Sequence, residues 1–484
     1  MVWNDLLNPR RVRDLHKGLT EDEPKDKDPR SEFQRDYDRC LFSTPVRRLQ
    51  DKAQVFPLEI NDSVRTRLTH SLEVSNVAKG IAERIGNRLI EKGKIAEEQK
   101  QNMVCIAGTC GLIHDLGNPP FGHSGEDSMR SWFEKKIEED KIKLPDGPQK
   151  NDFLNFEGNA QTIRLVSKLQ MLGDFSGLNL TSGTMATTRK YLSSSTEIDG
   201  EKGQQYKKLG YFQSEKSLIE KVEQTTGTSG KRHPVTYMVE AADDIVYSII
   251  DLEDALKKRV LDWEFIRKEL APLIPDLINM AEENVYNRAV EQGFQPRNGQ
   301  TTNGDENIHK DTDFEELNGQ TLSEARMSIL RTSLIGHNIR YVVEEFIEKY
   351  DDIMKGKYNG ELVQHEKIIK IIKKCKEVAR NIVFNSPAIL KLEIMGRNII
   401  HGLMDHFWLG IKHYPYDDKK IKKLPFNFKV YSLLSDNYKK VFEYKFNDLE
   451  GLSCEYIKLQ LLADYICGMT DSFAKELHRE VYNG

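Results

Sequence analysis

Apolar residues recur every three or four positions along almost the whole chain, as in VSNVAKGIAERI and SLIGHNIRYVVEEFI, with polar turns between the runs. That spacing gathers them on one face of a helix, whereas a half-buried strand needs strict alternation, which is scarce here. The chain is thereby restricted to helix packed on helix, and an all-α fold is expected. At 484 residues it holds ample apolar material for a sizeable core.

Three polar stretches break the pattern: Ser193 to Gly210, Gln224 to Arg232, and Gly293 to Thr321. The last, rich in Gly, Asn, Thr and Asp, reads as a mobile surface loop. Because the helical pattern resumes unchanged after it, one helical body with inserted loops is preferred to separate domains. The first thirty residues, with EDEPKDKDP, read as a solvated arm. The expected organisation is an arm over 1–30, a core over 31–292, the loop over 293–321, and a helical C-terminal part packed on the core over 322–484.

Lys+Arg 71 against Asp+Glu 76 gives a net charge of -5, which excludes a polybasic binder of nucleic acid or membrane surfaces. Any anionic ligand must be met by local positive charge. MVWNDLLNPRRVRDL lacks the apolar centre of a signal peptide, and the least polar stretch, Met103 to Ile113, is far short of a membrane span. A cytoplasmic protein without a membrane partner is expected. Six cysteines without a C-x-x-C pair read as reduced thiols, with Cys105 and Cys110 as buried small hydrophobes.

HDLGNPPFGHSGE, from His114 to Glu126, crowds two histidines and two acids around two prolines. Adjacent residues point about 100° apart on a helix, so His114 and Asp115 can grip one ion only near a helix end. Gly117 and Pro119-Pro120 supply that end. His123 and Glu126 then stand across from the pair as a proton-moving couple. Upstream, RTRLTHSLEVSNVA places His70 beside a buried stripe of Leu68, Leu72 and Ala78, where a histidine is either a satisfied core residue or a ligand. In VEAADDIVYSIIDLEDAL, Asp243, Tyr247 and Asp251 share one helical face opposite Ile245, Ile249, Leu252 and Leu256. An ordinary surface face carries lysines and glutamates, not a tyrosine between two short acids. Two His and two Asp form a mixed nitrogen and oxygen set suited to Mn, Fe, Co, Ni, Zn or Mg, and the lack of a thiolate disfavours structural zinc.

With His70, His114-Asp115 and Asp243 in the order H...HD...D, the chain resembles the HD superfamily of metal-dependent phosphohydrolases. RDYDRCLFSTPVRRLQDKAQVF, RTRLTHSLEV, HDLGNPPFGHSGE, NFEGNAQ, GLNLTSGTMATTRKY, EAADDI and DYICGMTDSFA are more closely similar to bacterial deoxyguanosine triphosphate triphosphohydrolases. These strings run from about Arg30 to about Ala474. The resemblance implies an HD-domain helical fold and a single divalent ion, Mn or Mg first and Co, Ni, Fe or Zn as alternatives. It further implies cleavage of dGTP, or another dNTP, to nucleoside and intact tripolyphosphate.

By motif match, His70, His114, Asp115 and Asp243 are the implied metal ligands. His123 is the implied catalytic acid or base, with Glu126 orienting its imidazole. Gln54 and Asp251 resemble the groups that hold the 3' hydroxyl, and Tyr247 the ring that lies on the deoxyribose and disfavours ribonucleotides. Arg67 and Lys190 resemble phosphate contacts, and Asn159 lines the same cavity. Asn118 departs from the histidine that many HD enzymes carry there. Guanine selectivity is expected from the C-terminal half, around IMGRNIIHGLMDHF and YIKLQLLADYICGMTD. The resemblance also implies a homo-oligomer, often a hexamer, and single-stranded DNA as a further partner. Two alternatives stand beside it: an HD hydrolase of another nucleotide phosphoester, and a catalytically weak nucleotide sensor or single-strand binder.

Overall fold

The computed structural model describes residues 1–18, 28–56, 58, 63–170, 173–295, 314 and 317–483. Among these residues twenty-three α-helices form and no sheet does, only three isolated bridge contacts. The all-α expectation is met.

Nine helices position the site. Helix α1 (Arg67–Glu91) begins at Thr66, whose hydroxyl accepts from the Thr69 amide. α2 (Glu97–Ile113) opens on two acids, favourable at a helix N-terminus, and ends at His114. The two helices lie along each other, and Gly111 lets them close: a Cβ there would fall 2.8 Å from Ser75 Cα. α3 (Gly122–Glu139) and α4 (Gly158–Arg164) follow. α5 (Pro234–Lys257) starts on a proline, with His233 accepting from the Val235 amide. It packs against α1, α2 and α6 (Gly319–Glu348). α7 (Pro387–Ile411) packs on α3 and meets α8 (Cys454–Cys467) and α9 (Asp471–Asn483).

Two apolar cores result. One runs through α1, α2, α5 and α6, the other through α3, α4, α7 and α8. α2 and the turn after it pass between them: Ile106, Ala107 and Cys110 belong to the first, Leu112, Ile113 and Leu116 to the second. His114 and Asp115 therefore sit at the seam.

Three sequence expectations need correction. Residues 1–18 are not a solvated arm: Trp3, Leu6, Leu7, Val12 and Leu15 are buried, and Trp3 Nε1 donates to Tyr350 Oη at 2.9 Å. Trp3, Leu6 and Leu7 form a one-turn apolar stripe that the charged run behind them masks; residues 19–27 lie outside the described residues. Leu72 is 41% exposed, because the buried face of α1 runs through His70, Val74, Val77, Ala78 and Ile81, with His70 on it rather than beside it. Within the expected loop over 293–321, Phe314 is buried against Val285, Ala289 and Leu322, and α6 already starts at Gly319; residues 296–313 and 315–316 lie outside the described residues. All six cysteines are free thiols, with Cys110 buried and Cys105 half-buried. No helix among the described residues is long and apolar enough to cross a membrane.

Candidate functional site

The turn after α2 is held by close backbone packing. The Gly117 amide donates to Thr162 Oγ1 at 2.9 Å, and a Cβ on Gly117 would fall 2.1 Å from Gly158 O and 2.3 Å from Thr162 N. Only glycine lets the turn sit this close to α4. Pro119 and Pro120 cannot donate backbone hydrogen bonds, so the helix stops there. Phe121 then takes a left-handed φ of 63°, and α3 begins with His123 in its first turn.

That bend brings three chain segments to one point. His70, His114 and Asp115 each offer a ligand atom, all within 4.8 Å of one another. Asp243 Oδ1 from α5 lies 3.2 Å from His70 Nε2 and 3.6 Å from His114 Nε2. His114 Nε2 is also 3.6 Å from Asp115 Oδ1. Ligands bound about 2.1 Å from a common ion stand about 3–3.5 Å apart, so these spacings suit a shared cation.

The hydrogen bonds point the same way. His114 Nδ1 sits 2.7 Å from Gly111 O, an arrangement that makes Nδ1 the donor and leaves Nε2 with a free lone pair. Nε2 is buried and has no hydrogen-bond partner. Asp115 accepts from Arg67 through Oδ2 and from Asn118 Nδ2, at 2.7 Å, through Oδ1. Asn118 thus steadies the carboxylate by donating one hydrogen bond. Burial alone would raise the Asp115 carboxyl, but Arg67, His114 and His70 hold it well below the usual range. Asp243 is likewise raised by burial and pulled further down by His114, the His70 hydrogen bond and Lys190. Burial opposes protonation of His70, yet the Asp243 hydrogen bond together with the charges of Asp243 and Asp115 outweighs it. Two carboxylates kept ionised beside an unpartnered imidazole nitrogen fit a borderline or hard divalent ion.

His123 keeps an exposed surface, and its pKa is lowered by desolvation and then by the Arg67 charge. Glu126, one turn further along α3, is not hydrogen-bonded to it. Its carboxylate accepts from Arg130 and from the Gly158 amide at 3.1 Å. Burial and then repulsion from Glu157 push the Glu126 carboxyl up, against the pull of Arg130. Glu157 and Lys208, paired at 2.9 Å, were not anticipated, although their charges act on His123. Glu157 lies within FEGNAQ and Lys208 within the polar stretch Ser193 to Gly210, and neither carries a local pattern that marks the pairing.

The other expected residues divide into those poised for a ligand and those already engaged. Asp251 is fully buried with both carboxyl oxygens unpartnered, and burial, reinforced by Asp254 and Asp243, pushes it up to about 8. Gln54 Oε1 is also buried and unpartnered. An isolated bridge joins Ala53 to Thr66, and Arg65 donates to Asp254 at 2.6 Å, tying the Gln54 segment to the Asp251 end of α5. Tyr247 is half-buried between Asp243 and Asp251 along that face. Lys190 Nζ is 3.9 Å from Asp243 Oδ2, and Asn159 donates to Glu157 at 2.7 Å. Both line a narrow cavity with His114, Thr187, Glu240 and Asp243. Arg67 is buried and paired with Asp115, its Nε without a partner.

The HD domain family model matches residues 67–146, which include His70, His114 and Asp115. Curated relatives extend the match along the chain. A deoxyguanosinetriphosphate triphosphohydrolase-like protein of Listeria monocytogenes is 33% identical over 490 residues, covering 99% of both chains. One of the same description from Synechocystis is 30% identical over 500 residues, again covering 99% of both. A deoxyguanosinetriphosphate triphosphohydrolase of Yersinia pestis is 29% identical over 501 residues, covering 93% of both. The chain belongs to the deoxyguanosinetriphosphate triphosphohydrolase family of the HD superfamily.

Proposed function

We propose that this chain hydrolyses a deoxynucleoside triphosphate, preferring dGTP, to deoxynucleoside and tripolyphosphate, with one divalent ion held by His70, His114, Asp115 and Asp243. The observation that carries the reading is the unpartnered His114 Nε2 facing two carboxylates that stay ionised in a buried setting. When bound, such an ion activates water and polarises a phosphoryl oxygen. Mn or Mg suits a donor set half oxygen and half nitrogen.

The remaining steps belong to side chains. His123, kept neutral by its lowered pKa, accepts a proton from the attacking water, and the imidazolium so formed returns it to the leaving 5' oxygen. Glu126, one turn along the same helix and held by Arg130 and the Gly158 amide, is the carboxylate proposed to orient the His123 imidazole. Asp251 and Gln54, buried with unmet polar atoms, receive the 3' hydroxyl; unmet buried groups cost stability, so a partner from the ligand is favoured. Tyr247 packs on the sugar, where an added 2' hydroxyl would lack space and a partner. Lys190 and Arg67 supply positive charge for the phosphates in a protein that is acidic overall.

A product assay with the four deoxynucleotides and GTP in the presence of manganese tests the reading. Tripolyphosphate and deoxyguanosine are the expected products. Release of only orthophosphate or pyrophosphate would instead identify a hydrolase of another phosphoester.

A further inference from the structure

Two buried ionic side chains outside the expected site tie its halves together. Asp471, 1% exposed at the start of α9, accepts from the Phe121 amide at 2.9 Å and from the Ala53 amide at 3.0 Å. Lys52, 3% exposed, donates from Nζ to Asn118 O at 2.6 Å and to Cys467 O at 2.8 Å. Three segments meet in these four bonds. One carries Gln54, one is the turn between Asp115 and His123, and one is the junction of α8 with α9.

Phe121 is the key position. Its left-handed backbone is unfavourable for a residue with a side chain, so that conformation persists only where its surroundings hold it. The Asp471 carboxylate fixes the Phe121 peptide, and its ring is buried against α7, where a Cβ on Gly396 would fall 2.8 Å from it. Because Phe121 immediately precedes α3, the tilt of its peptide sets the direction in which His123 leaves the first turn. The second oxygen of the same carboxylate fixes the peptide next to Gln54. One side chain therefore sets the gap between a sugar-side group and a proton-transfer group, and Lys52 anchors the opposite end of the same turn.

We infer that Asp471, assisted by Lys52, is a positioning residue through which the C-terminal helices set the spacing between Gln54 and His123. The inference rests on the function proposed above for those two residues. Neither side chain touches substrate in this scheme. They act by holding backbone.

Hydrogen exchange on the full-length chain tests the clamp without reference to activity. In Asp471→Ala, the amides of Ala53 and Phe121 should lose protection while that of His70 keeps it. Unchanged protection at both amides would overturn the inference. Turnover supplies the second arm: Asp471→Ala should lower kcat by about 10–100-fold, the scale of a small misplacement of reacting groups. In the His123→Ala background it should lower kcat little further, because the two changes share one route. Fully additive losses would show a general structural effect and sink the claim. Should Asp471→Ala not fold, Asp471→Asn, which keeps shape and one acceptor, should strip protection from one of the two amides, and unchanged protection at both would again overturn the inference. If the wild-type chain releases no tripolyphosphate, the proposed function fails, while the exchange arm still decides the clamp.

Discussion

Asp152 gives a quantitative test of how the C-terminal helices are joined to the core. It lies on the helix Pro148–Leu154, 1% exposed, and Oδ2 accepts from the Gln213 amide and the Tyr456 hydroxyl, each at 2.7 Å. Tyr456 belongs to α8. Burial pushes the carboxyl from its ordinary 3.8 up to about 6, against the pull of those two hydrogen bonds. The folded state therefore binds this proton more tightly than the unfolded state. Stability from this group is fully present below 3.8 and is lost as pH rises through about 6. The gap between the two values, at about 1.36 kcal/mol per pH unit, sets the full loss at about 3 kcal/mol. Roughly half has already occurred by about pH 5, leaving about 1.4 kcal/mol to appear between about pH 5 and about pH 7.5.

Asp152→Asn keeps the shape and the acceptor but removes the ionisation. Urea unfolding followed by tryptophan fluorescence, on both chains at both pH values, measures the effect. The variant should gain on the wild type by about 1.4 kcal/mol as pH rises, whatever constant offset its amide introduces. A difference that stays flat or shrinks with pH would refute the reasoning that burial governs this carboxyl.

Three further outcomes are expected at the seam. His123→Ala should keep its metal content, measured by elemental analysis, while turnover falls at least ~100-fold. Asp115→Ala should lose metal and turnover together, since it also leaves the buried Arg67 without its partner. Gly117→Ala should cost about 1–3 kcal/mol in chemical denaturation, because its methyl would meet backbone atoms that cannot step aside, and turnover should fall with it.

The periodicity that announced an all-α chain is a local property, and so was the break at Gly117 and Pro119-Pro120. Both were legible. The stripe of Asp243, Tyr247 and Asp251 was legible for the same reason, since one helix fixes the relative directions of its own side chains. Where local pattern competed with composition, the reading slipped. The charged run before α1 hid the apolar turn at Trp3, and the Leu68–Leu72 spacing suggested a buried face that belongs to His70 and Val74.

Sequence alone determined the helices, their ends, and which residue types were available for chemistry, because each depends on neighbours a few positions away. Only the tertiary structure decided that His70, His114, Asp115 and Asp243 converge, that Glu126 turns to Arg130, and that Asp471 reaches both Phe121 and Ala53. Those distances depend on how two apolar cores meet along α2, and packing between remote segments leaves no periodic trace in the chain that makes it.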